Sequence, residues 1–221
     1  MEIRISDELK DSGLIIGHLV IENLENKKNP NKGMEKLLKS LRNNVKENPD
    51  SFLNKDELKA YSEFINSVDS VIESKNVGPN ILINLILEKG YLPNISRVVD
   101  CMNIISIKSG LTISIWDKDN IKGDIIYKLT EGGERYWPFM GDEVKLLKGE
   151  LAAFDDEKVL CLVRYRDSKY APVTLETKNI VVHIQGVKGI TKESVEKALN
   201  ELENLLVENT GGTAIKKKII E

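Results

Sequence analysis

Between the hard turn Tyr91-Leu92-Pro93 and Gly110 lies a segment, Asn94 to Ser109, whose apolar residues Ile95, Val98, Val99, Met102, Ile104, Ile105 and Ile107 nearly surround a helical axis. A helix that is apolar on almost every side belongs in an interior, so other layers of structure must cover it. Ser96, Asp100 and Asn103 nevertheless fall on one narrow stripe of that helix. A buried polar group without a partner costs roughly 1–3 kcal/mol. The stripe therefore either meets hydrogen-bonding partners or lines a cavity.

The flanking segments supply the covering layers. Alternation in Ile3-Arg4-Ile5 and the apolar run Gly13 to Ile21 predict two strands in a hairpin-like start, followed by the exposed turn ENKKNPNKG. Met34, Leu37, Leu38, Leu41 and Val45 recur at helical spacing over Lys32 to Val45, with Asn31 placed to cap the start. A second helix is expected from about Lys55 to Ile72, on Leu58, Tyr61, Phe64, Ile65 and Val68, before Gly78-Pro79 breaks the pattern as a junction. A short apolar helix then covers Asn80 to Glu88.

Beyond Gly110 the period changes to that of strands, expected at Leu111–Trp116, Asp124–Leu129, Leu151–Phe154, Val159–Arg166 and Ile180–Gln185. Thr191 caps a last helix on Val195, Leu199, Leu202, Leu205 and Leu206, which ends before Asn209-Thr210-Gly211-Gly212; Ala214 to Glu221 reads as an edge strand. No period of about 20 to 50 residues repeats. The fold class that follows is α+β, with one mostly antiparallel central sheet flanked by helices. Residues 1–77 are expected to form an N-terminal α/β extension on a main domain of residues 78–221.

With 221 residues, 41% hydrophobic and 30% charged, the chain can bury a substantial core. Its net charge of −3 provides no bulk basic field, so contacts with RNA must be local. Cys101 and Cys161 lie in apolar runs and read as small buried hydrophobes rather than a disulfide. The MEIRISDELK start has no apolar leader, and no stretch approaches the ~18 apolar residues of a membrane span, so a cytoplasmic protein with no membrane partner is expected.

Two histidines and two cysteines without zinc-type spacing argue against a metal centre, and nothing calls for an organic cofactor. His18 and His183, each within a predicted strand, read as hydrogen-bonded structural residues. Gly132-Gly133 and Gly211-Gly212 read as a turn and a helix cap rather than phosphate cradles. Two constellations invite chemistry. In RYRDSK, strand alternation would put Arg164 and Arg166 on one face and Tyr165 on the other. That arrangement fits a grip on phosphate or carboxylate with base stacking, or equally a solvated sheet face with cross-strand ion pairs. Glu150, with Asp155 and Asp156, forms a carboxylate-rich flank of the strand LAAF, suited to holding an ammonium or positioning water; Glu150 is the better candidate.

Taken as a set, Leu92-Pro93-Asn94-Ile95, Val99-Asp100, Asn103, Ser106, Gly110-Leu111, the DNIKGD stretch of Asp119 to Asp124, Glu131-Gly132-Gly133-Glu134, Gly149-Glu150 and Arg164-Tyr165-Arg166-Asp167-Ser168 resemble a family pattern. It is that of free-standing proteins related to the third and fourth B domains of the phenylalanyl-tRNA synthetase β subunit. The resemblance covers about residues 78 to 210.

It implies a compact α+β fold whose relatives bind tRNA and, in the synthetase, hydrolyse wrongly esterified tRNA. Glu150 would orient water or hold the ammonium, and Asn103 would fix the ribose or substrate. Asp100 would line or brace the pocket; Ser106, Arg164, Tyr165, Arg166 and Ser168 would complete the tRNA contacts. The chain lacks room for a class II catalytic core, so aminoacylation is not expected. Three functions follow: deacylation of misacylated tRNA in trans, a non-catalytic module binding tRNA or a free amino acid, or a metabolite-sensing regulator.

Overall fold

The computed structural model describes residues 1–68, 70 and 76–221. Among the described residues its strands form two four-stranded sheets rather than one, with a two-stranded ribbon of β5 (Arg135–Tyr136) and β6 (Val144–Lys145) beside them. The first sheet runs β1 (Ile3–Ile5), β4 (Ile125–Leu129), β7 (Leu151–Phe154) and β8 (Val159–Leu162). The second runs β10 (Thr213–Ile220), β2 (Ile15–Glu22), β9 (Ile180–Gly186) and β3 (Thr112–Asp117). Apart from the parallel β1–β4 pair, the ladders of both sheets are antiparallel. The α+β class with mostly antiparallel pairing therefore holds.

The expected N-terminal hairpin does not form, because β1 joins β4 in the first sheet while β2 inserts between β9 and β10 in the second. Local alternation marks strands but not partners, and here both partners lie more than a hundred residues away. Residues 1–77 thus contribute strands to both sheets and share one hydrophobic core with the rest of the chain.

The helices stack outward from the second sheet. α6 (Lys192–Thr210) packs on β2, β9 and β10, and α5 (Arg97–Ser109) packs on α6 and β3. α4 (Gly78–Lys89) covers α5, and α1 (Lys32–Glu47) covers α4. The all-round apolar helix is α5, with Val98, Cys101, Ile104, Ile105 and Ile107 buried as their spacing predicts. Ser96 caps its first turn by accepting from the Val99 amide, and Gly110 ends it at φ +78, where an added Cβ would lie 2.9 Å from the Lys55 side chain.

Other boundaries moved for identifiable reasons. Gly78-Pro79 is the first turn of α4 rather than a junction, since proline lacks only a donor that an N-terminal turn would leave unbonded. α3 runs Asp56–Ser67, and the expected continuation to Ile72 lies outside the described residues. β10 is the edge strand the tail suggested, and α6 has its Thr191 cap and left-handed Gly211. Among the described residues, no helix is long and apolar enough to cross a membrane.

Candidate functional site

The site arises from side-chain alternation on the second sheet. An added Cβ at Gly17 or Gly186 would run into Val195 of α6, so these positions of β2 and β9 face the helix layer. Their neighbours His18 and Gln185 must then face the first sheet. Pairing registers align His18 with His183, His183 with Ser114, and Gln185 with Thr112. Three strands thus place one polar row on the face that meets Tyr127 of β4.

The row is a continuous hydrogen-bonded chain. Ser114 Oγ donates to Asp167 Oδ1 at 2.6 Å. Gln185 Nε2 donates to Ser114 Oγ at 3.1 Å and to Tyr127 Oη at 3.2 Å, and it also lies 3.3 Å from Cys161 Sγ. Tyr127 Oη is 2.9 Å from His183 Nδ1, and His183 Nε2 is 2.9 Å from His18 Nδ1. One polarity fits every link: Tyr127 donates to His183, whose protonated Nε2 donates to His18 Nδ1, leaving the buried His18 Nε2 without a partner among the described residues. Both histidines are structural, as expected. Burial holds His18 down to about 4, with the Lys216 and Lys218 charges adding to it, and pushes His183 well below its ordinary value.

Asp167 ends the row; the residue is half-buried, but its carboxyl is enclosed. Burial of its carboxyl raises it to about 7, against the opposing bond from Ser114. A carboxyl poised near neutrality beside an oriented hydroxyl can take up and release a proton at working pH. The RYRDS motif reaches Asp167 through a reversal, not the expected strand to Arg166. β8 stops at Leu162, Tyr165 N donates to Leu162 O at 2.9 Å, and Ser168 N returns to Leu160 O at 2.7 Å. Arg164 and Arg166 consequently do not share a face. Arg164 is buried with Nη1 on the Val68 carbonyl, whereas Arg166 is exposed with its guanidinium 5.1 Å from the Tyr165 ring centroid.

The remaining candidates fall into two groups. Glu150 is fully buried, Oε1 accepting from Ser70 Oγ and Oε2 from Leu147 N at 2.8 Å. Its carboxylate is committed to the protein. Ser106 donates to Leu111 O at 2.9 Å and supports the end of α5, while the buried Ser168 Oγ accepts from Tyr170 N at 3.3 Å. Asp100 and Asn103 differ from these. Asp100 Oδ1 accepts from Ile95 N at 3.2 Å, but its buried Oδ2 has no partner among the described residues, and burial raises the carboxyl to about 6. Asn103 is buried without a side-chain hydrogen bond among the described residues.

Ser114, Tyr127 and Gln185 carry no local signature in the sequence, and Asp167 stands there only within the Arg164-to-Ser168 motif. The available signal was the polar residues at alternate positions of Thr112-Ile113-Ser114 and His183-Ile184-Gln185 in otherwise apolar strands. Among the described residues no group of histidine, cysteine and carboxylate side chains could hold a metal, and both cysteines are buried and free. The Glu134 carboxylate fills the Glu131 and Gly132 amides at 2.6 and 2.9 Å, so that turn offers no phosphate cradle.

Comparison with known proteins matches residues 59–211 to the B3/4 domain family. Similar sequences include the phenylalanine–tRNA ligase β subunit of Fusobacterium nucleatum, 28% identical over 124 residues, covering 56% of this chain and 15% of that protein. The β subunit of Pectobacterium atrosepticum is 29% identical over 96 residues, covering 43% and 12%. The chain thus spans a small part of the length of these relatives. In structure it resembles an N-terminal fragment of the phenylalanyl-tRNA synthetase β subunit from Pyrococcus horikoshii, with a TM-score of 0.53 at 16% identity, over 96% of this chain and 50% of that fragment. With the family match extending over well more than half of its residues, the chain belongs to the B3/4 domain family.

Proposed function

We propose that this chain binds tRNA and hydrolyses the ester of misacylated aminoacyl-tRNA in trans, in the cytoplasm, with Asp167 as proton acceptor. The observation behind this reading is the Asp167 carboxyl, raised to about 7 and held by Ser114 at 2.6 Å. Family membership supplies the context, since similar sequences are β subunits of a tRNA ligase. In the reaction, water attacks the ester carbonyl as its proton passes to Asp167. The carbon–oxygen bond to the ribose breaks, and the ribose oxygen takes up a proton as it leaves.

The other residues take supporting parts. Gln185 donates to Ser114, which leaves the Ser114 proton for Asp167 and fixes the orientation of its carboxyl. Asn103 lies on α5 in the helix layer, across the second sheet from the Asp167 row, and has no part in this step. Glu150 braces the turn at Leu147 rather than activating water.

The test is release of amino acid from a panel of correctly and incorrectly charged tRNAs, with wild type, Asp167→Asn and Glu150→Gln side by side. Release confined to certain mischarged species, and lost in Asp167→Asn while folded Glu150→Gln retains it, supports the reading. No release by folded wild type sinks the hydrolase and leaves a module that binds tRNA or a free amino acid.

A further inference from the structure

The basic residues of this chain are unevenly spread. Within residues 27–46 seven side chains are basic and one, Glu35, is acidic, although the whole chain carries a net charge of −3. Most of the seven sit on α1, the helix that covers α4 at the outside of the helix layers. Met34, Leu38, Leu41 and Val45 turn its apolar face inward, and Asn31 fixes its start by accepting from the Met34 amide at 2.9 Å. At about 3.6 residues per turn, Lys32, Lys36, Lys39, Asn43 and Lys46 then fall on one stripe opposite that face, with Arg42 at its margin. The lysines of the stripe are exposed, and its length is about 20 Å. Lys46 reaches the end of α4, its Nζ 3.2 Å from where a Cβ on Gly90 would lie, and Lys89 next to that glycine is exposed.

The stripe works against the helix that carries it. Like charges three and four residues apart repel, and Lys32 in the first turn opposes the helix dipole. Among the described residues none of these cations forms an ion pair, and neither does Glu35. Lysines elsewhere do: Lys10 with Asp7 at 2.7 Å, Lys108 with Glu201 at 2.7 Å and Lys118 with Glu22 at 2.9 Å. A row of cations left without internal partners is complementary to a polyanion. Every exposed residue of α1 is charged, polar or glycine. A membrane would therefore find nothing on this face to insert, and an acidic peptide would find no apolar anchor. An RNA stem meets phosphates to the ammonium groups and 2′-hydroxyls to Asn43 and Asn44.

We infer that the Lys32, Lys36, Lys39 and Lys46 face of α1 holds the sugar-phosphate backbone of a double-helical RNA stem. It is the local basic field that the acidic chain otherwise lacks. α1 lies outside residues 59–211 that match the B3/4 family, and α4, α5 and the second sheet separate it from the Asp167 seam. The choice of RNA as the polyanion rests on the proposed tRNA reading, whereas binding to the stripe is measured without catalysis.

The probe is a labelled RNA hairpin with a fully paired stem and no amino acid attached, titrated with the full chain. The triple variant Lys32→Gln, Lys36→Gln, Lys39→Gln is expected to bind it about tenfold more weakly and to lower the slope of log affinity against log salt by about 2 to 3. Its urea midpoint should be unchanged, since the replaced side chains are exposed. Lys32→Arg, Lys36→Arg, Lys39→Arg should bind as wild type does. Lys10→Gln with Lys192→Gln, which removes paired lysines elsewhere, should leave binding unaltered. An equal salt slope in wild type and the glutamine variant would overturn the inference. So would tighter binding of a single strand of the same length, or of anionic phospholipid vesicles, than of the stem. Stem binding without ester hydrolysis would remove the deacylase reading and keep the stripe. Hydrolysis with an unchanged KM for charged tRNA in the glutamine variant would do the reverse.

Discussion

Two buried polar rows run through this molecule, and they differ in how their members are linked. The row between the sheets, from Asp167 through Ser114, Gln185, Tyr127 and His183 to His18, is linked side chain to side chain at distances from 2.6 to 3.2 Å and ends on His18, whose buried Nε2 has no partner among the described residues. The row on α5 spends Ser96 and Ser106 on the helix ends and leaves Asp100 Oδ2 and Asn103 without partners among the described residues. A connected row sets orientations and proton positions; an open one offers groups to something else or keeps a carboxyl neutral. Rigidity therefore belongs to the sheet seam, where Asp167 is poised, and contact capacity to the helix.

The largest expected effect separates the rows by chemistry. Asp167→Asn should lower hydrolysis of a mischarged tRNA by about 100-fold or more, and the wild-type rate should rise with pH through about 7 as that carboxyl ionises. If Asp100→Asn removed activity and Asp167→Asn did not, the comparison would be reversed.

The next effect tests the far end of the seam. His18 is neutral in the fold, with its value held at about 4 against 6.5 in the unfolded chain. Its stabilising contribution is thus present above about pH 6.5 and lost as pH falls towards 4, on the order of 3 kcal/mol at the limit. Urea unfolding at a series of pH values should show a shallower acid limb in His18→Gln than in wild type. An identical limb would mean that protonation there is tolerated.

Tyr127→Phe removes the hydroxyl that joins Gln185 to His183. Leaving buried polar atoms unpaired should cost about 2 kcal/mol. An unchanged urea midpoint would mean that the row contributes orientation without stability.

The smallest effect has the opposite sign. The Asp100 carboxyl is raised to about 6 by burial, so its favourable state is the protonated one, present in full below about pH 4 and lost as pH rises through 6. Asp100→Asn keeps an acceptor for the Ile95 amide and should raise stability at pH 8 by about 1 kcal/mol. Destabilisation at that pH would show that Oδ2 has a partner in solution.

Much of the fold was legible because it is local. The spacing on α5, the caps Asn31 and Thr191, and the Gly211 helix end are properties of short windows, and the structure keeps them, whereas Ser96, read as part of the polar stripe, turns out to be the α5 cap. Sheet membership was not legible. Ile3–Ile5 and Ile15–Glu22 look like neighbours, yet their partners lie at Ile125–Leu129, Ile180–Gly186 and Thr213–Ile220. Of the named site residues, Arg164 and Arg166 were assigned a strand geometry that the reversal at Leu162–Arg166 removes, because alternation holds only while a strand continues.

The sequence by itself determined the α+β class, the interior position of α5, the polar stripe on it, and the family pattern that ends in Arg164-Tyr165-Arg166-Asp167-Ser168. Tertiary structure alone decided how each carboxyl is surrounded. The sequence favours Glu150 and shows Asp167 only as part of a motif. Packing encloses both, giving Glu150 an amide and a hydroxyl and setting the Asp167 carboxyl against Ser114 of a distant strand, where burial raises it to about 7. The reason is that desolvation and hydrogen bonding, which set a carboxyl's proton affinity, depend on groups converging from β3, β4 and β9, and no single stretch of chain contains them.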